Sequence, residues 1–128
     1  AQPDRIELSG QGNTHIRSDP VLVRIVLANL IDNALKYAQP DTEIQVRVRS
    51  TTADTIQVRV TNVVGRAGRP DPKYVFDKYY RSAGALSQSG SGLGMYLSKH
   101  IARLLGGDLI YVSEGATLYF EVELPRQI

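Results

Sequence analysis

Residues 90–99 read Gly90-Ser91-Gly92-Leu93-Gly94-Met95-Tyr96-Leu97-Ser98-Lys99, a glycine-rich turn that runs straight into an amphipathic helix. Gly90, Gly92 and Gly94 leave the backbone bare, so a bulky anion can approach the peptide N–H groups closely. The helix that follows aims its positive end at the same spot. That arrangement suits the phosphates of a nucleotide. It matches neither the P-loop nor the dinucleotide fingerprint, and short Gly/Ser turns before helices also serve as plain loops. The rest of the chain decides between these two readings.

Downstream, Leu93 to Leu105 is expected to be a helix with Leu93, Leu97, Ile101, Leu104 and Leu105 on one face, ended by Gly106-Gly107. Leu109–Val112 and Ala116–Leu124 read as closing strands. Upstream, Arg81–Ser91 is polar, small and expected to be mobile, Lys73–Tyr80 is expected to be a short aromatic helical segment, and Val63–Pro72 is a Gly/Pro/Arg loop. Glu43–Ser50 and Thr55–Asn62 alternate apolar with polar residues, which predicts a hairpin of two half-buried strands. Their Arg47, Arg49 and Arg59 form a stripe that reads either as a solvated sheet face or as a binding patch. Asp19-Pro20 is a helix start, with a side-chain cap followed by proline at the first turn. Leu22, Ile25, Val26, Leu30 and Ala34 carry that helix to Tyr37 at helical spacing. Arg5–Leu8 and Thr14–Arg17 read as short strands around the turn SGQGN. The expected fold is α+β, a two-layer sandwich with helices on one face of a mixed, mainly antiparallel sheet. At 128 residues the chain is expected to be one domain, 1–128, cut from a longer protein.

The 15 basic and 13 acidic residues are interspersed and the net charge is +2, so no bulk argument favours nucleic acid or a membrane surface. With no Cys and two His, thiolate metal sites, disulfides and thiol chemistry are excluded. No apolar run approaches the roughly 18 residues of a membrane span.

Asn29, Asn33, Lys36 and Tyr37 fall on the first helix, the two asparagines four apart on one face. Asn is a poor helix-interior residue, so the pair needs a reason. An amide oxygen suits Mg²⁺, Lys36 can meet a phosphate, and Tyr37 can offer a flat face to a base. Helix capping or a polar contact to a neighbouring loop would account for the asparagines equally well.

NLIDNALKYA resembles the N box of the GHKL (Bergerat-fold) ATPases, and specifically that of sensor histidine kinases. FDKYYR resembles their F box, GSGLGMYLSKHIARLLGG their G2 box, and GATLYFEVELP their closing G3 region. The four occur in the family's order across residues 19–124. The resemblance implies the catalytic and ATP-binding domain of a two-component kinase, with ATP and Mg²⁺ as cofactors. It implies that Asn33 holds Mg²⁺, that Asn29 sits beside the metal and phosphate end, and that Lys36 contacts phosphate. Tyr37 and Thr117 would lie near the base, and Gly90, Gly92, Leu93 and Gly94 would present backbone to the phosphates. Phe76 would anchor the root of a lid over 81–91, and Arg81 would reach the terminal phosphate. Asn29, Lys36 and Arg81 are thus the catalytic candidates.

One departure matters. Where the family's G1 box places an adenine-reading Asp followed by closely spaced glycines, this chain has Asn62, with glycines displaced to Gly65 and Gly68. The amide oxygen of Asn62 can still accept from adenine, without charge assistance. Alternatively its amide N–H could donate to guanine O6. Met95 in place of the usual Leu is a volume-conserving change. Neither His15, read on an edge strand, nor His100, on the G2 helix, sits in an acceptor motif. The expected partner is therefore the kinase's own helical dimerisation and phosphoacceptor domain, with a response regulator downstream. This chain alone should not autophosphorylate and is expected to be monomeric, on the cytoplasmic side of a membrane-bound sensor. Two other readings of the same fold are a degenerate docking or regulatory module and an anti-sigma-type serine kinase.

Overall fold

The computed structural model describes residues 6–12, 14–80 and 93–127. The described elements run β1 (Ile6–Gln11), α1 (Pro20–Tyr37), β2 (Ile44–Ser50), β3 (Thr55–Val63), α2 (Gly94–Leu104), β4 (Asp108–Glu114) and β5 (Thr117–Pro125). The strands form one sheet in the order β1-β2-β3-β5-β4. β1 and β2 are parallel, as two strands joined through a helix can be, and the other pairs are antiparallel. This is the two-layer α+β sandwich that the patterning predicts.

Alternation fixes which face of the sheet is covered. On β3, Ile56, Val58, Val60 and Asn62 are buried, and on β5 Leu118, Phe120, Val122 and Leu124 lie in register with them. Val26, Leu30 and Ala34 of α1 and Ile101 and Ala102 of α2 close over that surface. Asp19 caps α1, its Oδ1 accepting from Val21 N at 2.9 Å and Leu22 N at 3.1 Å.

Three local expectations need correction. Residues 14–17 are not a strand: Arg17 makes a single bridge to Gln127. Its N–H donates to Arg126 O at 2.7 Å, and the Arg126 guanidinium takes His15 O at 2.7 Å, so this stretch is tied across the end of the sheet. Residues 73–80 form successive turns, not a helix, with isolated bonds from Tyr74 N to Asp71 O, Asp77 N to Tyr74 O and Tyr80 N to Asp77 O. Tyr79, at φ 65°, lies in a backbone region that a helix does not use. Finally, α2 buries Met95, Ser98, Ile101 and Ala102, while Leu97 and Leu104 face outward. Its stripe is rotated because a serine on the buried side meets Asn29 of α1.

Where α2 turns into β4, the chain passes so close to β5 that a Cβ on Gly107 would stand 1.8 Å from Glu123 O. Only glycine allows that crossing.

Candidate functional site

The end of α1 is sewn to the end of β3. Gln39 N donates to Val63 O at 2.9 Å, Gly65 N donates to Tyr37 O at 2.8 Å, and Ala38 bridges Val64. A Cβ on Gly65 would sit 2.6 Å from Ala38 O. The first displaced glycine is therefore required here by close backbone approach, and Gly68, at φ 78°, by its left-handed conformation.

Two polar side chains open into the interlayer near this seam. Asn62 is 1% exposed on the covered face of β3. Its Nδ2 donates to Val63 O at 3.0 Å, which leaves Oδ1 buried without a hydrogen-bond partner. Asn33, one turn before the end of α1, likewise has a buried Oδ1 without a partner. Buried polar atoms are overwhelmingly paired in folded proteins, so two bare acceptors on the facing ends of α1 and β3 have the chemistry to take donors or a cation. Ser18 Oγ is a third bare atom but lies at the opposite end of α1, beside an apolar groove of about 420 Å³.

Asn29 has a different task. Its Nδ2 donates to Gly94 O at 3.2 Å and to the fully buried Ser98 Oγ at 3.0 Å. It ties α1 to the first turn of α2 and positions that turn beside the asparagine face. Asn29 thus makes a polar tie through its Nδ2, while the amide oxygen of Asn33 is buried without a partner among the described residues.

The N-terminus of α2 has no side-chain cap: Leu93 occupies the cap position without such a bond. None of the residues in that first turn is acidic, so its amides and the helix dipole keep their positive character there. Lys36 is half-buried on the last turn of α1 and makes no hydrogen bond or ion pair among the described residues. Tyr37 is 5% exposed and packs with Ala67 of the loop after β3. Thr117 starts β5 opposite Val63, next to the Asn62–Leu118 pair, so it borders the Asn62 side of the site. Arg81, Gly90 and Gly92, and the lid expected over 81–91, lie outside the described residues.

Phe76 packs edge-on against Phe120, with ring centroids 6.1 Å apart. Lys99 of α2 stands 4.6 Å from the Phe76 ring centroid, and its Nζ donates to Leu109 O at 2.6 Å and pairs with Asp108 Oδ1 at 3.0 Å. Partial burial alone would raise the Asp108 pKa. The Lys99 hydrogen bond, the Leu109 N–H and the charges of Lys99 and Arg103 outweigh it and hold the carboxyl below its ordinary range. Tyr111 stacks on Phe120 at 4.8 Å and donates its hydroxyl to Pro70 O at 2.8 Å. Burial raises the Tyr111 pKa, against a bond with Ser113 and the charge of Arg69. Arg69 clamps the β4–β5 turn through Ser113 Oγ and Gly115 O. Sequence reasoning passes over Lys99, Tyr111 and Arg69 as supports. Their partners lie on other elements, and each residue alone looks like an ordinary surface cation or a core aromatic. Of the two histidines, His100 is exposed with its ring against Tyr96, and His15 lies in the tied stretch, not on a strand.

Comparison with known proteins agrees with this geometry. The family model described as histidine kinase-, DNA gyrase B-, and HSP90-like ATPase matches residues 18–128. The chain is 32% identical over 126 residues to the sensor protein VanSC of Enterococcus gallinarum, covering 94% of this chain and 33% of that protein. It is 33% identical over 129 residues to the signal transduction histidine-protein kinase AfsQ2 of Streptomyces coelicolor, covering 96% of this chain and 23% of that one. It thus spans a third or less of the length of these relatives. The solved mycobacterial sensor histidine kinase MprB has the same fold, with a TM-score of 0.77 at 24% identity, covering 96% of this chain and 85% of that one. So does the nucleotide-free catalytic domain of histidine kinase ThkA, with a TM-score of 0.75 at 20% identity, covering 97% and 82% respectively. No helix among the described residues is long and apolar enough to cross a membrane. The chain belongs to the histidine kinase-, DNA gyrase B- and HSP90-like ATPase family, as an ATP-binding catalytic domain of the sensor histidine kinase type.

Proposed function

We propose that this domain binds Mg-ATP at the seam between α1, β3 and α2, and presents the γ-phosphoryl group to a histidine on a separate helical domain of the same kinase. The observation that carries the reading is the pair of buried, unpartnered amide oxygens on Asn33 and Asn62. Asn33 Oδ1 is a hard oxygen of the kind Mg²⁺ accepts, and the ion would neutralise phosphate charge. Lys36 and the first turn of α2, which carries no acidic residue, supply positive charge to the phosphates, and Asn29 holds that turn in place. Arg81 would add a guanidinium at the terminal phosphate, Gly90 and Gly92 bare backbone, and Thr117 and Tyr37 would border the base. Phe76 would anchor the lid. Such a reaction relies on positioning and charge, which are what these residues offer.

The amide of Asn62 supports adenine over guanine. One of its two Nδ2 hydrogens goes to Val63 O, while Oδ1 is the buried atom without a partner, so the acceptor is the group that gains most from a base, and it matches the 6-amino group of adenine. Phosphate from the histidine would pass to a response regulator, and the domain would work on the cytoplasmic side of the membrane.

Calorimetric titration with ATP, ADP and GTP in the presence of Mg²⁺ tests the reading. ATP and ADP should bind and GTP should bind more weakly. Asn33→Ala should weaken the Mg-nucleotide complex, and Asn62→Asp should tighten adenine nucleotides several-fold, about 1 kcal/mol for restored charge assistance. If the wild type binds no nucleotide and Asn62→Asp restores binding, the site is degenerate and the domain acts by docking.

A further inference from the structure

The sheet face away from the helices carries three arginines with unequal surroundings. Register places Arg47 on β2 directly opposite Arg59 on β3, and Arg49 opposite Gln57. Like charges set opposite one another across a strand pair repel. Arg59 is compensated: its Nε lies 2.9 Å from Oε1 of the buried Glu121, and its guanidinium lies 4.0 Å over the Tyr119 ring. Arg49 donates to the neutral Gln57 Oε1 at 2.8 Å, and Gln57 in turn donates to Glu123 at 3.0 Å. The Arg47 side chain has no hydrogen bond or ion pair among the described residues. Two guanidiniums thus stand two residues apart on one strand, about 7 Å along it, with neither paired to a carboxylate.

Among the described strands the neighbouring β1 is an edge of the sheet, and all six of its residues are exposed. Its sequence IELSGQ contains no Pro, Lys or Arg, the residues that usually block strand addition. Ser9 and Gln11 stand beside Arg47 and Arg49 in the parallel register. Being uncharged, they leave the guanidiniums an approach across β1 to its free side. On the other face of β1, Ile6 is 42% and Leu8 is 72% exposed. The opposite edge is unlike this one: β4 begins and ends on Asp108 and Glu114, and Arg69 lies against its turn.

We propose that β1 is a docking edge for an extended segment of a partner protein with acidic residues at alternate positions and apolar residues between them. The added strand continues the pleat, so its carboxylates fall beside Ser9 and Gln11 within reach of Arg47 and Arg49, and its apolar residues fall on Leu8 and Ile6. An acidic residue beside Glu7 is disfavoured, which sets the register. Charge gives the preference for partner and orientation, and main-chain hydrogen bonds along β1 give the attachment.

The test uses the isotopically labelled domain and two capped hexapeptides that leave a neutral residue beside Glu7, Val-Gln-Val-Glu-Val-Glu (the Glu/Val peptide) and Val-Gln-Val-Lys-Val-Lys (the Lys/Val peptide). The Glu/Val peptide should shift the β1 amide resonances and slow their hydrogen exchange, and the Lys/Val peptide should do neither. Arg47→Glu with Arg49→Glu should weaken binding about tenfold or more, and Arg47→Ala and Leu8→Lys should each weaken it less. All are exposed positions, and the amide spectrum reports that each variant is folded. The proposal is overturned if the Glu/Val peptide fails to bind at millimolar concentration, if the Lys/Val peptide binds equally, or if the arginine variants bind like wild type. It is also overturned if the domain pairs with itself through β1. The proposal stands apart from the nucleotide site, so an ATP titration on the same samples separates the two outcomes.

Discussion

At the scale of the residue, the site depends on small geometric facts that admit few substitutes. Gly65 is one: a methyl group there meets the Ala38–Gln39 peptide at 2.6–2.8 Å. Gly65→Ala should therefore lower stability by about 2 kcal/mol or more, since the obstacle is backbone and cannot swing away. Urea unfolding followed by circular dichroism reads this directly, and an unchanged midpoint would contradict the close approach. Asp108 gives a second residue-level expectation. Its carboxyl ionises more readily folded than unfolded, so its contribution is present above the ordinary aspartate pKa and is lost as pH falls through the lower, folded value. Stability should decline in acid below about pH 4, with a shallower decline in Asp108→Asn. The side chain is half exposed, so the difference will be modest.

Individual elements differ in how much of them a linear reading can reach. α1 and the β2–β3 hairpin are legible because one periodicity, 3.6 or 2, governs each, and a cap or a turn bounds it. The segment 73–80 is not. Its aromatic residues recur at spacings that suit a helix, yet Phe76 serves Phe120 and Lys99, while Tyr74 stacks with Tyr80 at 6.4 Å. Those partners belong to the tertiary structure and override local preference. The face of α2 fails for a similar reason: Leu97 and Leu104 outnumber Ser98 in apolarity, but Ser98 has a hydrogen-bond partner in Asn29. Asn33 stands out in sequence as an asparagine inside a helix, and Asn62 as the residue where the resembled G1 box has Asp. That their oxygens are bare is a fact of three dimensions alone. Lys99→Met should loosen the 73–80 segment while leaving the sheet intact. Hydrogen exchange should speed up at Tyr74, Asp77 and Tyr80 and stay slow on β3 and β5; uniform change across the molecule would argue against a local support.

At the scale of the whole molecule, both described helices cover one face of the sheet, neither of them covers the other, and the proposed nucleotide site lies at one end of the interlayer. We expect the isolated domain to sediment as a monomer, and a tight dimer would contradict that. Nucleotide and Mg²⁺ should raise the melting temperature in a concentration-dependent way, because they bind the folded chain alone. The parallel pairing of β1 with β2 has a mechanical consequence. A pull applied ahead of Ile6 along the strand loads the six β1–β2 pairs side by side, in shear, so they must yield together. A pull across the strand would open them one after another. The same edge is thus firm against tension and soft against peeling, and the direction of a tether would decide how much force reaches α1 and the asparagines it carries.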